Sequence, residues 1–249
     1  MEIIKTTSFE LATISAGDKN SGRFALVLPG RLDTKDYEVF RKHIDFLATL
    51  GFYALSFDPP GTWESPGDTS LFTTTNYIKA VDELIAYFGN RPTFLMGHSR
   101  GASISILAGA KNPHVFACAP IMATLSGEPR KTDPEAARVG FKMAYRDMPP
   151  GTEKTAGQKE FKLPLNYFID MEKYDVVEAL KNCTKPKLLI YGTEDEFTTP
   201  ERVKEVFELI PEPKELFKLT VNHDYRYHPD MIEKANQAIG KFLRVAGSR

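Results

Sequence analysis

The chain has 249 residues, 42% of them hydrophobic, enough for one large domain with its own core. A net charge of −1 gives neither the basic footprint of a nucleic-acid binder nor a polybasic membrane patch, so a small-molecule partner is expected. Two cysteines, Cys118 and Cys183, make no disulfide framework or metal-ligand spacing, and no apolar run approaches the roughly 18 residues of a membrane span. With no signal-peptide pattern at the N-terminus, a soluble cytoplasmic protein is the default expectation.

In chain order, residues 3–14 hold short β-favouring stretches that stop at a Gly-rich turn over 16–22, as a hairpin or edge pair would. Residues 23–30 form a continuous apolar run ending in Pro29-Gly30, the mark of a strand buried on both faces. Tyr37, Phe40, Ile44, Leu47 and Leu50 come next at helical spacing up to Gly51, and 52–57 is a second buried strand, completing one β-α-β unit. A turn-rich loop over 58–67 precedes a helix over 76–88. A strand from Thr93, a small-residue helix over 102–110 and a strand over 115–120 continue the alternation. Such alternation predicts a parallel sheet covered on both faces, with functional residues at the carboxyl ends of its strands.

The pattern breaks over 124–170, which is rich in charge, Pro and Gly and predicts only short helical pieces, one of them over 134–145. Its aromatic and apolar residues, among them Phe141, Tyr145, Phe161 and Tyr167, suit a lid folded over the top of the sheet. The expected organisation is therefore a core over 1–123, a lid insertion over 124–170 and a second core segment over 171–249. There the alternation resumes with a strand over 185–192, a helix over 200–210, a strand over 214–221 and a closing helix over 229–245.

The chemistry concentrates at Gly97-His98-Ser99-Arg100-Gly101, at the end of one of these strands. G-x-S-x-G between a strand and a helix makes a sharp, strained turn that lifts a serine oxygen above the sheet, with glycines where backbones pass closely. Two later loops, 192–200 and 221–225, each place polar groups at a strand's carboxyl end: Glu194, Asp195 and Glu196 in the first, His223 in the second. His228 is a second histidine nearby, His98 lies inside the turn where packing is its expected role, and His43 and His114 read as surface or structural.

Taken together, these elements resemble the α/β-hydrolase superfamily over nearly the full length, in the family's chain order of serine, acid, histidine. The resemblance implies an α/β-hydrolase fold and an acyl-enzyme route in which Ser99 attacks, His223 carries its proton and Asp195 orients His223. Tetrahedral oxyanions need donors worth about 3 kcal/mol each. The resemblance points to the backbone N–H of Arg100 and, from the loop after the first buried strand, to that of Arg31, with Leu32 as the alternative. Where relatives often carry His-Gly-x, this chain has Pro29-Gly30-Arg31, and Arg31 has a second possible role as a cation that meets a substrate carboxylate. The Asp58-Pro-Pro-Gly-Thr-Trp63 loop also departs from the family's pattern, with Trp63 as either a pocket wall or a packing residue.

No metal or organic cofactor is required by this reading. The expected partner is a small-molecule carboxylic ester, with no nucleic acid and no membrane span. Thioester, lactone, amide or peptide cleavage on the same triad, and a non-catalytic binding protein on the same scaffold, stay open, as does the oligomeric state.

Overall fold

A computed structural model describes residues 1–126 and 131–246. Its centre is an eight-stranded sheet flanked on both faces by helices. β1 (Glu2–Lys5) and β2 (Glu10–Ala16) form the expected antiparallel edge pair. β3 (Phe24–Leu28), α1 (Glu38–Thr49) and β4 (Tyr53–Phe57) make the first β-α-β unit, and β4 also pairs antiparallel with β2. α2 (Thr74–Tyr87) leads to β5 (Thr93–His98), α3 (Arg100–Lys111) and β6 (Val115–Ile121), each strand parallel to its neighbour.

The reason these strands read as unbroken apolar runs is visible in the core. Ala25, Val27, Ala54, Phe94 and Met96 face one layer, with α1 beneath them. Phe24, Leu26, Leu28, Leu55 and Leu95 face the other, against α2 and α3. With both faces buried, the period-2 signal of a half-exposed strand disappears.

The insertion departs from expectation in one respect. Its first described helix is α4 (Pro134–Val139), and Gly140, in the left-handed region at φ 86°, ends it. The next element is a strand, β7 (Phe141–Asp147), paired antiparallel with β8 (Gln158–Pro164) in a separate two-stranded sheet, so the helix expected over 134–145 stops six residues early. Residues 127–130 of the insertion lie outside the described residues. α5 (Leu165–Met171) and α6 (Val176–Lys181) then lead back to the sheet.

β9 (Lys187–Gly192), α7 (Pro200–Leu209) and β10 (Lys214–Leu219) extend the sheet at its far edge, giving the order β1-β2-β4-β3-β5-β6-β9-β10. A short 3-10 turn (Tyr225–Tyr227) and α8 (Pro229–Ala246) close the chain, with Ile232, Ile239, Phe242 and Leu243 packed into the α1 side of the core. The carboxyl ends of β3, β5, β9 and β10 thus come together beneath the β7–β8 hairpin.

Candidate active site

Ser99 sits between β5 and α3 at φ 54°, ψ −113°, a backbone conformation that L-residues rarely adopt and that persists only where the surroundings impose it. The surroundings here are two glycines. A Cβ on Gly101 would lie 2.0 Å from the carbonyl oxygen of Leu28, and one on Gly97 would lie 2.6 Å from the backbone of Gly101. The Ser99 amide donates to the Ile121 carbonyl at 3.0 Å, which pins the turn to β6.

Asp195 comes directly after β9 and His223 after β10, and neighbouring parallel strands carry the two loops into contact: His223 Nδ1 lies 3.1 Å from Asp195 Oδ1. Both are buried. Burial acts to raise the Asp195 pKa, but the hydrogen bond and charge of His223, with the Phe197 amide, hold it below the ordinary carboxylate range. The competing acids separate cleanly. Glu194 is exposed, and Glu196 accepts the backbone N–H of His223 at 3.2 Å, which steadies the loop without engaging the ring. His228 and His114 are exposed.

Ser99, Arg100 and His223 line one cleft of about 410 Å³, in the size range of small-molecule sites, with Arg31 at its edge and Tyr145, Tyr167 and Phe197 among its walls. No hydrogen bond joins Ser99 Oγ to His223 among the described residues; nucleophile–base bonds of this kind often tighten only with substrate in place.

His98 and His43 are both buried. His98 Nε2 donates to the His223 carbonyl at 2.9 Å, and its Nδ1 lies 3.9 Å from Asp33 Oδ2. Burial lowers the His98 pKa, so the ring is a neutral strut behind His223. His43 bridges Asn236 at 2.6 Å and Tyr225 at 2.7 Å, and burial pushes it down to about 4. It is structural rather than a surface residue.

The loop after β3 is held by its carbonyls. Tyr77 Oη donates to Pro29, the Asp33 amide to Gly30, Arg146 Nε to Arg31 and Trp63 Nε1 to Leu32, at 3.0, 3.3, 2.8 and 2.7 Å. Trp63 packs against Tyr37 and Phe161 and does not line the cleft. Lys35 and Asp58, both buried, stand behind this loop: Asp58 accepts from the Lys35 amide and from Thr34, and the Lys35 ammonium meets Asp36, Asp58 and Glu64. Those three carboxylates are close enough together to surround a metal ion, yet the lysine ammonium already lies among them.

Sequence reasoning missed the cleft residues of the hairpin, Arg146, Asp147, Lys154 and Gln158, because nothing in the sequence marks that hairpin as facing Ser99. It also missed Arg226, buried next to His223 and paired with Asp147 at 2.7 Å.

A strained serine between strand and helix, with an acid and a histidine delivered by two later, adjacent strands, is the arrangement of the α/β-hydrolase fold. The chain belongs to that family: residues 26–163 match its model, described as the alpha/beta hydrolase fold. A monoglyceride lipase homolog of monkeypox virus is 31% identical over 84 residues, which are 32% of this chain and only 30% of that protein. Similar solved structures include Est1E from Butyrivibrio proteoclasticus with ferulic acid bound (TM-score 0.76, 18% identity, all of both chains). A monoacylglycerol lipase from Paleococcus ferrophilus has a TM-score of 0.72 at 21% identity, covering 95% of this chain and 99% of that one. Mouse alpha/beta hydrolase domain-containing protein 10 has a TM-score of 0.75 at 20% identity, over 98% of each. At these identities the structural likeness is one of fold. Among the described residues no helix is long and apolar enough to cross a membrane.

Proposed function

We propose that the protein is a serine hydrolase acting on small or medium-sized carboxylic esters through an acyl-enzyme. The observation that carries this reading is the 3.1 Å Asp195–His223 contact on loops that share a cleft with the strained Ser99. The lipase and esterase among the similar proteins favour esters over the other acyl bonds the triad can cleave.

In this reading Ser99 Oγ adds to the ester carbonyl carbon and its proton passes to His223 Nε2. His223 then returns that proton to the departing alcohol oxygen as the C–O bond breaks. A water repeats the sequence on the acyl-enzyme: its oxygen bonds to the acyl carbon, one proton travels through His223 back to Ser99, and the carboxylic acid leaves. Asp195 holds Nδ1 protonated, so that Nε2 is the basic nitrogen, and stabilises the cation formed between the steps.

The oxyanion donors are the amides of Arg100 and Arg31. Neither N–H is used within the chain among the described residues, and Arg31 lines the cleft whereas Leu32 is fully buried. Residues 124–170 act as the lid over a core of 1–123 and 171–249.

The test is intact-mass labelling with a fluorophosphonate. A single adduct is expected on the wild type and none on Ser99→Ala, whose ester turnover should fall by about 10³-fold or more. A Ser99→Ala protein that keeps wild-type rates would overturn the assignment.

A further inference from the structure

Among the described residues the charged groups of the cleft do not cancel one another. Arg146 lies 3.4 Å from Asp33, and Arg226 is taken by Asp147 at 2.7 Å and Asp224 at 3.4 Å, which accounts for three of the four acids described in the cleft. The fourth, Glu196, is exposed and accepts the His223 amide. Among the described residues, three cations on the same cleft have no acid.

Arg100 is the informative one, because it is only 6% exposed. Its Nη2 donates to the neutral Thr74 hydroxyl, its guanidinium carbon lies 5.3 Å from the Tyr167 ring centre, and its Nε is buried with no partner among the described residues. Buried cations in folded proteins are paired, since withdrawing a charge from water costs several kcal/mol that only an opposite charge or several hydrogen bonds offset. A hydroxyl and a ring face supply part of that. Arg31 and Lys154 line the same cleft, are exposed, and make no side-chain hydrogen bond or ion pair among the described residues.

From this unbalanced set, resting on the ester-hydrolase reading of the same cleft, we infer that the ester taken here carries a carboxylate of its own. The carboxylate sits against the Arg100 guanidinium, with Arg31 and Lys154 drawing it in. Hydrolysis of such an ester releases a dicarboxylic acid when the charge is on the acyl part and a hydroxy acid when it is on the alcohol.

The experiment compares matched pairs that differ only in charge: monoethyl adipate with ethyl adipamate, and 5-acetoxypentanoate with 5-acetoxypentanamide. In at least one pair the carboxylate should show a kcat/KM about tenfold above its amide, about 1.4 kcal/mol, and the preference should shrink as salt is raised. Arg100→Gln, which keeps the backbone amide, should reduce the ratio within that pair, and Lys154→Gln should reduce it less. Amides cleaved as fast as carboxylates in both pairs, or an Arg100→Gln protein that slows both members equally, would overturn the inference while leaving the hydrolase reading intact.

Binding of adipate and of adipamide to the Ser99→Ala protein, followed calorimetrically, separates the two readings. If no ester is turned over but adipate binds and adipamide does not, the hydrolase reading fails and the anion site stands. Equal binding of the two, or binding of neither, removes the anion site.

Discussion

Ser99 owes its geometry to its neighbours more than to its own preference. A residue at φ 54° costs of order 1–3 kcal/mol and persists only where neighbours enforce it, and here α3 starts so close to β3 that no side chain fits between them. Gly101→Ala should therefore act through the backbone: its Cβ would meet Leu28 O at 2.0 Å and Pro29 O at 2.6 Å, and neither is a flexible side-chain end. A loss of about 1–3 kcal/mol in stability or more is expected, read as a lower urea midpoint, together with slower fluorophosphonate labelling because the same strand leads into the Arg31 loop. A variant with wild-type stability and labelling would mean that β3 and α3 separate more readily than their contacts suggest. Asp195 shows how residue-scale ambiguity is resolved. Three acids stand in a row at 194–196, and the loop turns only the middle one inward.

At the scale of elements, the β7–β8 hairpin governs the cleft. The last residue of β7, Asp147, is buried and joins Arg226, Tyr227, Gln158 and the Thr155 amide; burial works to raise its pKa, but these partners hold it well below the ordinary carboxylate range. The hairpin is thus fastened beside His223 by one carboxylate, and beside the Arg31 loop by Arg146. Removing one partner of a buried ion pair leaves the other uncompensated, typically at about 3–5 kcal/mol. Asp147→Ala should lose stability on that scale, and faster hydrogen exchange should be concentrated over 141–164. Uniformly unchanged exchange there would show the hairpin to be held by its apolar contacts alone. The helix expected over 134–145 fails at Gly140: the residues after it suit either state, and the glycine, which caps α4 in the left-handed region, was the readable stop signal.

Across the whole molecule, His43 ties the α1 layer to the closing helix and to the 3-10 turn just after His223. As a neutral ring, it donates to Asn236 and accepts from Tyr225. Because burial lowers its pKa to about 4, the unfolded chain binds a proton that the folded one refuses between about pH 6.5 and 4. Stability should then be full above pH 6.5 and decline as pH falls through that window, by up to about 1.4 kcal/mol per unit for His43. The buried His98 acts in the same direction. Denaturant titrations at pH 7.5 and 5.5 should show the decline in the wild type and a smaller one in His43→Gln; equal slopes in the two proteins would remove His43 as the cause.

The parts legible in the sequence were those set by local patterns: the alternation of apolar runs and amphipathic stretches that becomes a parallel sheet, the glycine-framed serine, and the acid and histidine placed directly after strands. These survive because strand burial and tight turns constrain residue type over a few consecutive positions. The features that the tertiary structure alone decided depend on residues far apart in the chain. Asp195 meets His223 because β9 and β10 are neighbours in register, Arg146 reaches the Arg31 carbonyl across 115 positions, and Lys35 pairs with Asp58 behind the loop after β3. His43 lies on a helix whose sequence reads as amphipathic, yet only α8 folding back against it makes that position interior. Charge balance in the cleft is likewise a property of assembled elements: each arginine is an ordinary residue in sequence, and only folding determines which are matched with acids and which, like Arg100, have none among the described residues.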